Sequence, residues 1–508
     1  MKTFLLYADR DADAAQVLPW NAADLIRDLG LKPVIDAMTS NDRFLPEVVT
    51  RSLLNGLREA GAVLYRQSVM RDCIANADPV RRLYTLASNA IEGENRNFWG
   101  MRIRHAASIL RRSRDVLGMF CDVLVEMRAL ADGHGANFES DGFKRFFSML
   151  QTELDDEYIA RLRDCLRRVE FEGGMLMSAA LGRGNHGRDY VLRDYKPPRL
   201  EWFERLLPSR KPGYTYTLHP RDESGARALS ELEDRGINLV ADALAQSVDH
   251  ILAFFTTMRY ELGFYVACLN LSDKLAAKGE AICFPSPSSG AIKFAGLYDA
   301  GLSLTLPERV VANDCDAGER PVIVITGANQ GGKSTFLRSL GLSQLMMECG
   351  MFVAAESFEA PLSSGIYTHF KREEDAGMES GKFDEELRRM NSLSDRLKPG
   401  AFVLFNESFA ATNDREGSEI ARQIAEALLD SGVRVAFVTH LYEFAYRLLK
   451  ERRSACVFLR AERGDDGGRT FRLSTGDPLP TSFGEDIYRR IFSEDAKKRG
   501  CAKHLHPG

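Results

Sequence analysis

Pro321-Val322-Ile323-Val324-Ile325-Thr326-Gly327-Ala328-Asn329-Gln330-Gly331-Gly332-Lys333-Ser334-Thr335 is the stretch on which the reading of this 508-residue chain turns. An apolar β-type run, Val322 to Ile325, leads into Gly327-x-x-x-x-Gly332-Lys333-Ser334, and a helical pattern follows through Leu337, Leu340 and Leu345. The order is strand, phosphate loop, helix. Backbone N–H groups must point inward around a polyphosphate, and glycines at 327, 331 and 332 permit this by tolerating positive φ and close approach. The binding loop is therefore Gly327, Ala328, Asn329, Gln330, Gly331, Gly332, Lys333, Ser334 and Thr335. Lys333 is expected to reach the β- and γ-phosphates and Ser334 to ligate Mg²⁺, with the helix N-terminus adding partial positive charge. A glycine-rich turn with no ligand can match the same pattern, but the strand before and the helix after favour the nucleotide.

Downstream, a second apolar strand, Ala401-Phe402-Val403-Leu404-Phe405, ends in Asn406-Glu407. Phosphate-loop ATPases place an acidic pair here, the first residue supporting Mg²⁺ and the second activating water. Asn406 can hydrogen-bond a metal-bound water but brings no negative charge; Glu407 keeps the base. A third strand, Val433 to Val438, ends in Thr439-His440. A lone histidine is more often structural, yet this one stands where the carboxyl end of a parallel strand meets a ligand crevice, so it is a candidate γ-phosphate sensor. Three strands ending in such residues imply a doubly wound α/β domain with nucleotide at the strand ends.

Upstream, the chain reads as helix almost throughout from about 22 to 170, with Asn21 placed to cap the first helix. Turns are expected at Thr39-Ser40-Asn41-Asp42, Ala75 to Pro79 and Glu92-Gly93-Glu94-Asn95. Ile103, Ala106, Leu110, Leu117, Phe120, Leu124 and Met127 form one face of a helix over about 101–131, read as bundle core. Residues 173–225 interrupt the pattern with glycines and prolines, and a β-hairpin or loop module is expected around Gly182 to Arg188. From 183 to 211 eight basic residues face four acidic ones, with Tyr190, Tyr195, Trp202 and Phe203 interleaved. Such a tip can track a phosphate backbone or simply be a solvated charged face. Leu244, Val248, Ile251, Phe255, Met258, Leu262, Tyr265 and Leu269 then mark a long helix over 232–278, a lever arm of about 70 Å if it does not bend at Gly236 or Gly263. Pro285 to Gly290 is the expected domain boundary.

These segments resemble the MutS mismatch-repair ATPases. Thr326 to Thr335 is similar to that family's T-G-P-N-M-G-G-K-S-T loop, and Asn406 to Gly417 to its D-E-x-G-x-G-T-x-x-x-[DE]-G segment. Thr439 to Ala445 resembles T-H-[YF]-x-E-L, and Asn313-Asp314 and Ser482-Phe483-Gly484 also fit. The resemblance implies an α-helical core/lever domain (1–285, with a clamp-like insert near 173–225) followed by an α/β P-loop, ABC-like ATPase domain (286–508) with a mostly parallel sheet. It implies ATP and Mg²⁺ as cofactors, a homodimer with composite nucleotide sites, and arms that enclose double-stranded DNA, mismatched or branched. It also implies a downstream repair protein as partner. Lys333, Glu407 and His440 take the catalytic roles, Ser334 and Asn406 the metal, and Asn329 contacts nucleotide. Ser380 lies near where the family has a serine reaching the partner's γ-phosphate, with one extra residue before Phe383. The chain departs from the family in three ways: it begins almost directly with the lever helices, without an N-terminal Phe-x-Glu wedge; it has Asn406; and it has Phe409-Ala410-Ala411 in place of Gly-x-Gly. An ABC-type or chromosome-maintenance ATPase is disfavoured, since no L-S-G-G-Q-like signature is present.

Composition agrees with a soluble globular class: 44% hydrophobic, 27% charged, net charge −5. Any nucleic-acid contact must therefore be local. Nine cysteines without a C-x-x-C pair argue against a disulfide framework or thiolate zinc site. No membrane contact and a cytoplasmic location are the expectations, and no nuclease-like tail is visible after about 490.

Overall fold

Val322, Ile323, Val324 and Ile325 are all buried, as are Phe402 to Phe405 and Val435 to Val438. Strands apolar on both faces belong in the middle of a parallel sheet covered by helices on each side. That is where they lie. The computed structural model describes residues 1–98, 105–171, 175–193, 216–328, 330–372, 381–463 and 468–480, with the backbone only at 97, 98 and 185. The chain divides into two compact units, Met1–Phe4 with Asp78–Leu262, and Leu5–Ala77 with Gly263–Gly508.

The second unit opens with α1 (Ala22–Asp28), α2 (Lys32–Thr39), α3 (Leu45–Leu54) and α4 (Ala60–Ala75). Asn21 precedes α1 but makes no side-chain cap. Its Nδ2 instead donates to the Ile366 carbonyl at 2.9 Å, so a tertiary partner wins over the local one. The turn after α2 is as expected, with Ser40 and Asn41 both at positive φ.

The first unit holds α5 (Ala77–Phe98) from Asp78 onward, α6 (Ala106–His134), α7 (Asp141–Glu153), α8 (Asp156–Arg168), the hairpin β1 (Leu176–Leu181) and β2 (Gly187–Arg193), and residues up to 262 of α9 (Glu223–Ala277). Ser140 and Asp155 cap α7 and α8 through side-chain oxygens that accept from the Phe143 and Tyr158 amides. The turn expected at Glu92 to Asn95 is absent, because α5 continues through it. There the polar residues make a helix–helix contact: Arg112 of α6 pairs with the buried Glu94, and a Cβ at Gly93 would meet Met119 Sδ at 2.5 Å. The hairpin forms where expected, β1 antiparallel to β2 and turning through Gly184 at φ 70°. Tyr195, Trp202, Phe203 and the basic residues from Lys196 to Lys211 lie outside the described residues.

α9 is helical through both Gly236 and Gly263 and starts nine residues earlier than the sequence pattern, with Asp222 Oδ1 accepting from the Gly225 amide. Gly236 is a seat rather than a bend: a Cβ there would fall 1.8 Å from Met177 Sδ of β1. By length and composition α9 could cross a bilayer. The apolar stretch that meets this test is 28% buried, while residues 260–269 are all buried; a core helix and a membrane span both pass it.

The remaining elements of the second unit are β3 (Ser286–Ser288), β4 (Ile292–Leu297), α10 (Ala300–Thr305), β5 (Asn313–Gly318), β6 (Val322–Thr326), α11 (Lys333–Glu348), β7 (Ser357–Pro361), β8 (Ile366–Phe370), α12 (Lys382–Ser394), β9 (Phe402–Asn406), α13 (Asp414–Asp430), β10 (Arg434–Val438), α14 (Tyr442–Glu451), β11 (Cys456–Arg463) and β12 (Arg469–Thr475). Two mixed sheets result. The larger runs β12-β11-β6-β10-β9-β8, parallel throughout except for β12, which pairs antiparallel with β11. The smaller runs β3-β7-β4-β5. An apolar cluster joins β6, β9, β10 and β11 to α12, α13 and α14 through Phe405, Phe437, Phe444 and Leu448 among others.

Candidate nucleotide-binding site

β6 stops at Thr326 and the chain turns at Gly327, φ 113°, a conformation closed to L side chains. A Cβ there would also stand 2.9 Å from the Ala461 amide nitrogen of β11. Gly331 is tight for another reason: its Cβ would lie 2.9 Å from both the Ala328 carbonyl and Ala461 Cβ. Gly332, φ 87°, precedes the first residue of α11. Gln330 takes φ 60° without being glycine, and its side-chain oxygen accepts from Arg469 of β12.

Lys333 is 4% exposed, and its Nζ donates to the Gly327 and Ala328 carbonyls at 2.9 and 3.0 Å. Burial lowers its pKa; nearby Glu407 opposes that and Arg469 adds to it. Ser334 Oγ donates to Asn406 Oδ1 at 2.9 Å, which joins the loop to the end of β9. Glu407 follows at φ 54°, its amide bonded to the Val438 carbonyl at 2.9 Å. A cavity of about 490 Å³ is lined by Gln330, Gly331, Gly332, Lys333, Ser334 and Thr335 together with Glu407. Thus most of the sequence-derived site meets in one place.

One expectation falls elsewhere. His440 is exposed and lines a second hollow of about 700 Å³ with Thr326, Gly327, Arg415 and Glu443, rather than the cavity of Lys333 and Glu407. Asn329 lies outside the described residues, as do Ser380 and Ser482 to Gly484. Among the described residues no cluster of three or more His, Cys, Asp or Glu side chains could hold a metal ion. The donors that fit Mg²⁺ are the Ser334 hydroxyl and the Asn406 carboxamide, already in hydrogen-bond contact, with Glu407 as the adjacent anion.

Other residues of the site were not assigned roles from sequence. Asn313 of β5, on the cavity wall, accepts from the Leu473 amide at 2.7 Å and donates to the Phe471 carbonyl at 3.5 Å, fastening β12 beside the loop. Arg469 reaches Gln330 across 139 residues, and no local pattern signals that contact.

Residues 58–278 match the family model described as MutS2 N-terminal domain, and residues 323–489 that described as MutS domain V. A DNA mismatch repair protein MutS of Thermus thermophilus is 32% identical over 179 residues, 35% of this chain and 22% of the relative. One of Chloroflexus aurantiacus is 34% identical over 144 residues, 27% and 15% of the two chains. A putative endonuclease MutS2 of Bacillus subtilis is 30% identical over 207 residues, 39% and 26%. Each match spans about a quarter or less of the relative's own length.

Proposed function

We propose, from the premise that this chain belongs to the MutS family, that it is a dimeric, ATP-driven DNA clamp. In this reading ATP binding and hydrolysis in the 286–508 region control how the helical region engages double-stranded DNA, mismatched or branched. The setting is mismatch repair or a related repair or recombination pathway in the cytoplasm, with a downstream repair protein as partner. The observation that carries the reading is the meeting of Lys333, Ser334 and Glu407 at one cavity, with Asn406 hydrogen-bonded to Ser334.

Phosphoryl transfer needs positioning and charge stabilisation more than covalent chemistry. When bound, Mg²⁺ neutralises charge on the phosphate oxygens, and Ser334 and Asn406 are the residues that would hold it. Lys333 exchanges its two backbone carbonyl partners for phosphate oxygens. The amides at the start of α11 add the partial positive charge of a helix N-terminus. Glu407 orients the attacking water and takes its proton on a carboxylate oxygen. His440, two residues beyond β10, is the proposed γ-phosphate sensor, approaching from the hollow it shares with Thr326 and Gly327, and the partner subunit completes the site.

Asn406 favours a second reading, a nucleotide-gated scaffold that hydrolyses little ATP and recruits a repair partner. Steady-state phosphate release with and without duplex, mismatched and branched DNA separates the two. The clamp predicts DNA-stimulated turnover; the scaffold predicts none. Glu407→Gln should keep ATP binding and lose turnover by a factor of about 100 or more, the scale of general-base loss. Unchanged hydrolysis in that variant would falsify the base assignment.

A further inference from the structure

The turn that carries Glu407 is held by residues far from it in sequence. Glu407 and Phe409 both have left-handed backbone, φ 54° and 64°, and the fully buried Ser408 stands between them. Two non-glycine residues in that region, separated by a single residue, do not rest there unaided. At Phe409 the MutS pattern quoted above has glycine, and the backbone here is the one glycine would adopt.

What holds the turn is visible in three contacts. The Phe409 amide donates to Glu386 Oε1 of α12 at 2.7 Å, a buried charge-assisted bond. Ser408 Oγ lies 2.9 Å from His369 Nδ1 and donates to the His369 carbonyl at 2.5 Å, tying the turn to β8. The Phe409 ring, 0% exposed, stacks on the His369 ring at 5.3 Å and 18°. Burial, with Arg389 and Arg372 beside it, pushes the His369 pKa down to about 3, so the ring is neutral near pH 7 and packs as an aromatic. Burial also raises the pKa of Glu386, while the Phe409 amide opposes that shift.

We propose that Glu386 is a positioning residue for the water-activating carboxylate: by fixing the Phe409 amide, with His369 holding Ser408, it sets the turn that aims Glu407 into the cavity. The inference rests on the reading of Glu407 as the base. It makes α12 part of the hydrolytic apparatus, although no α12 side chain lines the cavity of Lys333.

The test compares Glu386→Ala, Glu386→Gln and Glu386→Asp with wild type and Glu407→Gln, measuring kcat for ATP and the Kd of a fluorescent ATP analogue in the full chain. Glu386→Ala should lower kcat at least tenfold with Kd changed less than threefold. Glu386→Gln, whose amide oxygen still accepts from Phe409, should stay within threefold of wild-type kcat. If Glu386→Ala does not fold, Glu386→Asp, which withdraws the oxygen by one methylene, should show the same loss of kcat at unchanged Kd. A purely structural role would lower thermal stability and leave kcat within twofold in Ala and Asp, and that result overturns the proposal. If Glu407→Gln abolishes turnover while the Glu386 variants retain it, only the positioning role falls. If wild type binds ATP without turning it over, or Glu407→Gln turns over normally, the base assignment falls and takes the positioning role with it.

Discussion

A carboxamide at 406, where the MutS pattern has aspartate, changes the charge of the proposed nucleotide site by one unit. Asn406 Oδ1 accepts from Ser334 as a carboxylate oxygen would, so the loop and β9 are joined in the same way. What is lost is the attraction of an anion for a divalent cation, and in a partly buried site that attraction exceeds what water would allow. Asn406→Asp should therefore strengthen the Mg²⁺ dependence of ATP affinity by roughly tenfold, about 1.4 kcal/mol, read as the ratio of Kd in EDTA to Kd in Mg²⁺. An unchanged ratio would mean that Asn406 does not face the metal. That Lys333, Ser334 and Glu407 would come together could be read from sequence because each sits within a few residues of the strand that presents it. Glu386 and His369 could not, because their contacts with Phe409 and Ser408 span 23 and 39 residues and exist only once β8, β9 and α12 are packed.

The phosphate loop is an element with little slack. Gly327 abuts β11 at Ala461 and holds φ 113°, so Gly327→Ala meets both a steric and a conformational barrier. Backbone strain of this kind costs about 1–3 kcal/mol. The expected outcome is a lower melting temperature and ATP affinity weakened by at least tenfold, checked by thermal unfolding with and without nucleotide. Retained affinity would show that the loop can reshape. The strands β6, β9 and β10 were legible because a strand buried on both faces is a short unbroken apolar run. β8 and β12 carry mixed patterns, and β12 is an antiparallel edge, so neither stood out. At Glu92 to Asn95 the residues look like a turn because they are polar and contain glycine, yet here polarity serves an ion pair with Arg112 and the glycine admits Met119. Gly236 misleads in the same way, for close approach and flexibility demand the same residue.

For the molecule as a whole, a net charge of −5 means that a polyanion is not drawn in by the average field. Affinity for DNA would have to come from a few local cations, and the hairpin offers Arg183, Arg188 and Arg193 on strands and a turn that are largely exposed. Arg193 is engaged with Ser178 and Arg188 lies near Asp189, contacts weak enough at an exposed site to yield to a phosphate. Each phosphate neutralised contributes about 0.9 to the slope of log K against log salt for duplex DNA. Replacing Arg183 and Arg188 by alanine should reduce that slope by about one to two and weaken binding alike across DNA sequences. ATP turnover without DNA should not change, because the hairpin and the nucleotide cavity belong to different compact units. Gel-shift titrations at two salt concentrations, each with ATP, ADP and no nucleotide, measure both terms. A clamp driven by nucleotide requires at least a tenfold change in wild-type affinity between those states, about 1.4 kcal/mol of coupling. If affinity ignores nucleotide while the slope falls as expected, the hairpin binds DNA and the ATPase does not control it.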